Sequence, residues 1–362
     1  NLDFLWECKM NVGILTSGGD CQALNAAMRG VAKTLFYKCP DVKILGIEDG
    51  YKGMIYGRFH EMTGDDFSGI LTQGGTILGT SREPFKHIAD IAEDGVDKVK
   101  AMEDFYRQKK LDCLVVLGGN GSIKTASLLS SRGLNIVALP KTIDNDIFGT
   151  DMTFGFMSAI DVAVGAIDCI HTTAASHSRV FIVEVMGHKT GHLALNAGMA
   201  GGADIILLPE IPYSIEKIIS KIEEREKNGR HFTIIVAAEG AVSVSDSKLS
   251  KKQLKEKREK TPVSFDLSAQ IRLMSGKDVR VTIPGHTQRG GSPNAYDRIL
   301  SSRLGAAAAG FILEKKFGVL AAIKNSKIVA EPLSEVAGKL KTVDVKSEEI
   351  KEAKALGICF GD

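Results

Sequence analysis

The feature that most restricts the fold is a unit that occurs twice: an apolar run, a double-glycine turn, then a helical pattern. In the first copy, the run at 11–16 leads through Ser17-Gly18-Gly19-Asp20 into residues 21–35, where Leu24, Ala27, Met28, Val31 and Ala32 recur at helical spacing. In the second, the run at 111–117 leads through Gly118-Gly119-Asn120-Gly121-Ser122 into a helix start at 123–129. Strands that alternate with helices return in parallel through right-handed crossovers, and their apolar runs are those of strands covered on both faces. Further strand patterns lie at 42–47, 135–139, 179–185, 205–208, 233–237 and 279–283. Helical patterns cover 94–109, 154–173, 214–227 and 296–313, with another near 346–355. The expected fold class is α/β, as two doubly wound α/β domains with mostly parallel sheets. The segment around Tyr51, Lys52 and Gly53 reads as a loop, and 74–82 as a shaped loop too rich in glycine for a regular element. The charge run 251–260 reads as a solvated helix face or a mobile loop.

The chemistry concentrates after the run at 135–139. Pro140 ends that strand, because proline cannot donate to a sheet ladder, and Lys141-Thr142-Ile143-Asp144-Asn145-Asp146 follows. A loop leaving the carboxyl end of a parallel strand is where open α/β sheets hold their ligands. Two aspartates there can divide the labour, one accepting a proton and one holding a hard cation. A plain turn is the competing reading, since Asp and Asn favour turns. Each double-glycine turn opens a helix, whose free N–H groups and dipole suit phosphate. Neither turn is a GxxxxGK[ST] or GxGxxG motif. Arg179, Arg280, His286 and Arg289 lie at or near strand ends, and arginine matches phosphate oxygens with a bidentate fork. Glu239 follows the run at 233–237, where a carboxylate can bind sugar hydroxyls. These parts point to phosphoryl transfer to a phosphorylated sugar: Asp144 as general base, Asp146 linked to magnesium, Arg82 clamping the transferring group.

Composition removes several other classes. A net charge of +2 over 362 residues gives no general case for nucleic acid or an anionic membrane, and no apolar run reaches the ~18 residues of a membrane span. Cys8, Cys21, Cys39, Cys113, Cys169 and Cys359 have no CxxC or Cys/His spacing, which argues for reduced thiols and a cytoplasmic protein. Residues 1–9 lack the apolar core of a secretory signal and read as a non-core extension.

In this order the motifs resemble the bacterial-type 6-phosphofructokinase family, from residue 11 to about 315. They are Thr16–Asp20, Gly74–Arg82, Gly118–Ser122, Pro140–Asp146, Ser178–Gly187, Ala238–Gly240 and Gly285–Pro293. The resemblance implies a phosphofructokinase-like fold with a donor domain (10–153 plus about 290–330), a fructose 6-phosphate domain (154–289) and a C-terminal extension packed on the fold (331–362). It also implies transfer from ATP, with Mg2+, to the 1-hydroxyl of fructose 6-phosphate. By resemblance Asp144 is the base, with Thr142 beside it and Arg82 as clamp. Gly19, Tyr51, Asn120, Gly121 and Ser122 are donor contacts, and Asp146 with Asn120 the metal positions. Met186, Gly187, His188, Glu239, His286 and Arg289 contact the sugar phosphate. Arg179 and Arg280 reach it from a neighbouring subunit of a homotetramer. Arg29 and Arg230 match effector-site positions, which Lys33, Asn228 and His231 complete only in part.

Three departures stand out. Asn120 replaces a family aspartate, His188 an arginine, and Gln22-Ala23 a Pro-Gly pair. The donor signature is mixed, because Gly121 goes with ATP and Lys141 with pyrophosphate. Gly121 is the steric gate, so ATP is the expected donor and pyrophosphate the alternative. A silent regulatory paralogue is the remaining alternative.

Overall fold

The strand β1 (Lys9–Ser17) is buried from Val12 to Ser17, so both its edges need sheet partners and both its faces need helices. The computed structural model describes residues 9–362, and the chain runs β1, α1 (Leu24–Lys38), β2 (Asp41–Ile47), α2 (Tyr51–Tyr56) and β3 (Phe59–Met62). Next come α3 (Lys98–Gln108), β4 (Cys113–Gly118), α4 (Asn120–Ser131), β5 (Ile136–Pro140) and α5 (Phe156–His177). There follow β6 (Val180–Val185), α6 (His192–Ala200), β7 (Ile205–Leu207), α7 (Ile215–Lys227), β8 (Thr233–Ala238), α8 (Lys251–Lys260), α9 (Val263–Ser275) and β9 (Val279–Thr282). The chain ends with α10 (Ala295–Leu313), β10 (Val319–Lys324), β11 (Lys327–Pro332), α11 (Leu333–Val336) and α12 (Glu348–Ala355). It divides into two units, one of residues up to Ser158 with Arg289–Lys341, the other Ala159–Gln288 with Thr342–Asp362.

The first unit holds a seven-stranded sheet in the order β11-β10-β5-β4-β1-β2-β3, parallel except for the edge strands β3 and β11. The order reverses between β1 and β4, so the carboxyl ends there open a crevice. Ser17 lies opposite Gly118, and Gly118 opposite Pro140, so three strands end at one level. The second unit holds a parallel four-stranded sheet, β7-β8-β6-β9. Its β6 is buried throughout, and Glu184 within it accepts from Ser264 N–H at 2.8 Å and Ser264 Oγ at 2.6 Å at the start of α9.

The structure refines several details of the sequence reading. The segment around Tyr51 is the short helix α2, too brief for a period to register in sequence. The charge run 251–260 is helix α8 with no buried residue, a solvated helix as expected; a Ser250–Gln253 capping box opens it, and Lys257 and Arg258 reach buried Asp246 at 2.9 and 3.2 Å. Residues 331–362 are no single extension, since β11 completes the first sheet and α12 belongs to the second unit. Lys9 opens β1, while the rest of the expected N-terminal extension lies outside the described residues. Among the described residues, Cys21, Cys113, Cys169 and Cys359 are free thiols, as expected.

One helix, α5, is long and apolar enough to cross a membrane by length and composition, against the expectation that no run is. Asp161 and Asp168 interrupt its sequence, while Ala163, Ile167 and Ala174 face the core of the second unit. That pattern is of a helix with one buried stripe.

Helices α1 and α10 touch through their backbones. A Cβ on Gly305 would lie 2.4 Å from the Ala27 carbonyl oxygen, and one on Gly30 would lie 2.8 Å from that of Ser302. The helices can approach this closely only because both positions lack a side chain. Gly305→Val is expected to lower stability by more than about 2 kcal/mol, read as a fall in Tm, because two backbones must part.

Candidate active site

The three aligned strand ends surround a cavity of about 350 Å³. One wall is the first glycine turn, Gly18 and Gly19, and another is Gly119, Asn120, Gly121 and Ser122 at the start of α4. The floor is the loop after β5, with Lys141, Thr142, Asp144 and Asp146, and Arg82, Glu83 and Arg289 add further charged groups to the lining. Gly119 caps α4 without a side-chain acceptor, so the first-turn N–H groups are not taken up by a capping oxygen. Gly121 lines this cavity, and a Cβ built on it meets nothing within 4 Å, so the position is open.

The Arg82 loop is held by β1 and α1. Thr16 Oγ1 donates to the Gly79 carbonyl at 2.7 Å, and Thr80 Oγ1 to that of Gly18 at 2.7 Å. Gly18 N–H donates to the Ser81 carbonyl at 3.0 Å. Asn25, fully buried in α1, donates to the Gln73 carbonyl at 3.0 Å and accepts from Ile77 N–H at 2.9 Å. The sequence reading missed Thr16, Asn25 and Thr80. Asn25 had a visible signal, a polar residue within the apolar face of a helical pattern. Tyr51, expected in the donor site, does not line the cavity. It is buried, and its hydroxyl donates to the Ser122 carbonyl at 2.8 Å, bracing α4 from behind.

In the acid loop, Asp144 N–H donates to Thr142 Oγ1 at 3.1 Å. Asn120 Nδ2 donates to Asp146 Oδ2 at 2.7 Å and to the Asp146 carbonyl at 3.1 Å. The amide at 120 thus orients the carboxylate at 146, a bond an ionised aspartate could not donate. Lys141 is 3% exposed, and its ammonium reaches the Gly19 carbonyl. Burial lowers its pKa to about 8, with Arg289 and Arg82 acting the same way and Cys21 and Asp20 opposing. Arg289, expected against the sugar phosphate, donates from Nη1 to the Asp20 carbonyl at 2.8 Å. Three cationic side chains around two glycine turns form a pocket for a polyanion.

In the second unit, the remaining candidates sit at the carboxyl ends and the flanks of its sheet. Gly187 takes φ +124°, and a Cβ on Gly240 would lie 2.1 Å from the His188 carbonyl oxygen, so the Met186–His188 and Glu239–Gly240 segments touch. Met186 N–H donates to Gln288 Oε1 at 3.2 Å, and Gln288 Nε2 donates to the Gly285 carbonyl at 2.9 Å. Gln288 thereby ties the His286 turn to Met186, a role the sequence reading did not assign. His188 and His286 are exposed. Arg179 and Arg280 share Asp278, at 2.6 and 2.5 Å.

Among the described residues, no three His, Cys, Asp or Glu side chains gather to hold a metal. A magnesium ion needs no such cage, since it takes one or two carboxylates, waters and substrate phosphates. Asp146, with the Asn120 amide beside it in the cavity wall, fits that requirement.

Comparison with known proteins came out in the same direction. The family model described as phosphofructokinase matches residues 11–312. An ATP-dependent 6-phosphofructokinase of Spirochaeta thermophila is 51% identical over 356 residues, covering 97% of this chain and 97% of that protein. ATP-dependent 6-phosphofructokinase 3 of Bacteroides thetaiotaomicron is 44% identical over 353 residues, covering 97% of this chain and 100% of its own length. The crystal structure of Pichia pastoris phosphofructokinase in the T-state matches with a TM-score of 0.76 at 34% identity, over 91% of this chain and 36% of that one.

The cavity's charge generates a pH prediction. Lys141 is cationic below about pH 8 and neutral above it, so polyanion binding should weaken as pH rises through that value. Calorimetry with inorganic tripolyphosphate between pH 6.5 and 9.5 should give a rising Kd, and Lys141→Met should bind weakly with a flatter profile.

Proposed function

The chain belongs to the phosphofructokinase family, and on that premise we propose that it transfers the terminal phosphoryl group of ATP to the 1-hydroxyl of fructose 6-phosphate. The observation that carries this reading is the single cavity into which both glycine turns, Arg82 and the two aspartates face. Phosphoryl transfer asks little covalent chemistry of the protein and much positioning and charge stabilisation, which is what these groups supply.

Asp144 takes the proton from the sugar 1-hydroxyl oxygen as that oxygen attacks, and Thr142, bonded to the Asp144 amide, fixes the turn that aims it. Backbone N–H groups at Gly19 and at Gly119–Ser122 bind the donor's phosphates, and Arg82 and Lys141 oppose the charge that builds on the transferring group. Tyr51 acts by bracing Ser122. Asp146, with Asn120, would hold Mg2+, which would supply neutralisation of the phosphate charge. The open space beside Gly121 admits the nucleoside side of the donor, and the naming of the relatives as ATP-dependent supports the same choice.

Met186, Gly187, His188, Glu239, His286 and Arg289 bind the sugar phosphate. Arg179 and Arg280 serve a neighbouring subunit in a homotetramer whose active sites are shared across an interface. Residues 10–153 with about 290–330 serve as the donor domain, and 154–289 as the fructose 6-phosphate domain. The protein works in the cytoplasm.

The test is a turnover assay with fructose 6-phosphate and magnesium, supplied with ATP in one arm and pyrophosphate in the other. Turnover with ATP alone is expected. Turnover with pyrophosphate alone would overturn the donor assignment in favour of Lys141, and silence in both arms would favour a regulatory paralogue. Gly121→Asp, which fills the space beside α4, should reduce kcat/KM for ATP at least a hundredfold while thermal stability stays close to that of the parent.

A further inference from the structure

The loop that carries both aspartates is held from a place no motif marks. Asn145, between Asp144 and Asp146, is a non-glycine residue at φ +50°, a backbone state that L side chains rarely adopt without support. Its side chain supplies part of that support: Oδ1 accepts from Thr153 N–H at 3.1 Å, and Nδ2 donates to the Asp151 carbonyl at 3.4 Å. The other part comes from Lys341. Its ammonium donates to Asn145 Oδ1, the Thr150 carbonyl and the Asp151 carbonyl, each at 2.9 Å. One side chain therefore ties the start of the 145–151 loop to its end. The backbone repeats the attachment, since Lys341 N–H donates to the Asp146 carbonyl at 3.0 Å and Leu340 forms an antiparallel bridge with Ile147.

We propose that Lys341 is a positioning residue for the reaction, fixing the left-handed turn at Asn145 and through it the directions in which Asp144 and Asp146 point. Resting on the phosphofructokinase reading, this deepens it, because Lys341 lies beyond the residues 11–312 that the family model matches. An ammonium with three oxygen acceptors is fully used, which is why a lysine can be half-buried here. Its three donors point in different directions and meet acceptors on separate residues. A methionine of similar length keeps the packing and removes all three bonds. Arginine keeps the charge and several donors.

The test pairs a readout that needs no turnover with one that does. Hydrogen exchange is followed by mass spectrometry on wild type, Lys341→Met and Lys341→Arg. Peptides over 142–153 should exchange at least tenfold faster in Lys341→Met, while peptides from β1 and β4 stay as in wild type. Lys341→Arg should restore most of the protection. In steady-state kinetics, Lys341→Met should lose 10- to 100-fold in kcat, with KM for both substrates within about threefold of wild type, and Lys341→Arg should recover part of kcat. Unchanged exchange over 142–153, or an unchanged kcat in Lys341→Met, would overturn the proposal. Should wild type itself be inactive, the functional reading fails, and the exchange result still decides whether Lys341 holds the loop. If the methionine variant does not fold, Lys341→Gln, which keeps an amide donor, takes its place with the same expected direction.

Discussion

Parallel strands hydrogen-bond in a fixed register, and in this chain that register ends β1, β4 and β5 at one level, with Ser17 beside Gly118 and Gly118 beside Pro140. Everything at the cavity follows from it. Neighbouring strands lie about 4.8 Å apart, so the loops leaving them are forced within reach of one another. A slip of one residue in β5 would turn Lys141 and Thr142 to opposite faces and carry the acid loop away from the glycine turns. Both β4 and β5 are buried throughout, so a slip would have to repack both faces of the sheet at once.

Charge then sorts the groups that the register has brought together. Lys141, Arg82 and Arg289 gather at the glycine turns, where a polyanion would relieve their mutual repulsion. From the second glycine turn, Asn120 bonds Asp146 at 2.7 Å. An ionised aspartate at 120 would put two carboxylates about 3 Å apart, a repulsion of roughly 5 kcal/mol at an effective dielectric of ~20 unless a cation lay between them. The amide removes that repulsion and orients Asp146 by a hydrogen bond instead.

Much of this was legible in the sequence, and the reason is locality. The double-glycine turns, the proline that ends β5 and the aspartates behind it are short motifs whose chemistry is carried by adjacent residues. The groups that hold them are not local. Asn25 reaches Gln73 and Ile77, Tyr51 reaches Ser122, and Lys341 reaches Asn145 across most of the chain. Each of these is an ordinary polar residue in its own segment, and only the fold gives it a partner. Helix α2 and the division of the C-terminal residues escaped for a related reason, since short elements are fixed by tertiary packing more than by their own pattern.

The claim at the centre is that Asp144 removes the proton from the acceptor hydroxyl. Its most direct measurement is kcat for Asp144→Asn with ATP and fructose 6-phosphate, alongside calorimetric binding of the sugar phosphate. The amide keeps the shape of the side chain and loses the base, so kcat should fall by about 10³-fold or more while sugar binding changes by less than about fivefold. A variant that kept kcat within tenfold of wild type would contradict the assignment and move the base elsewhere in the cavity.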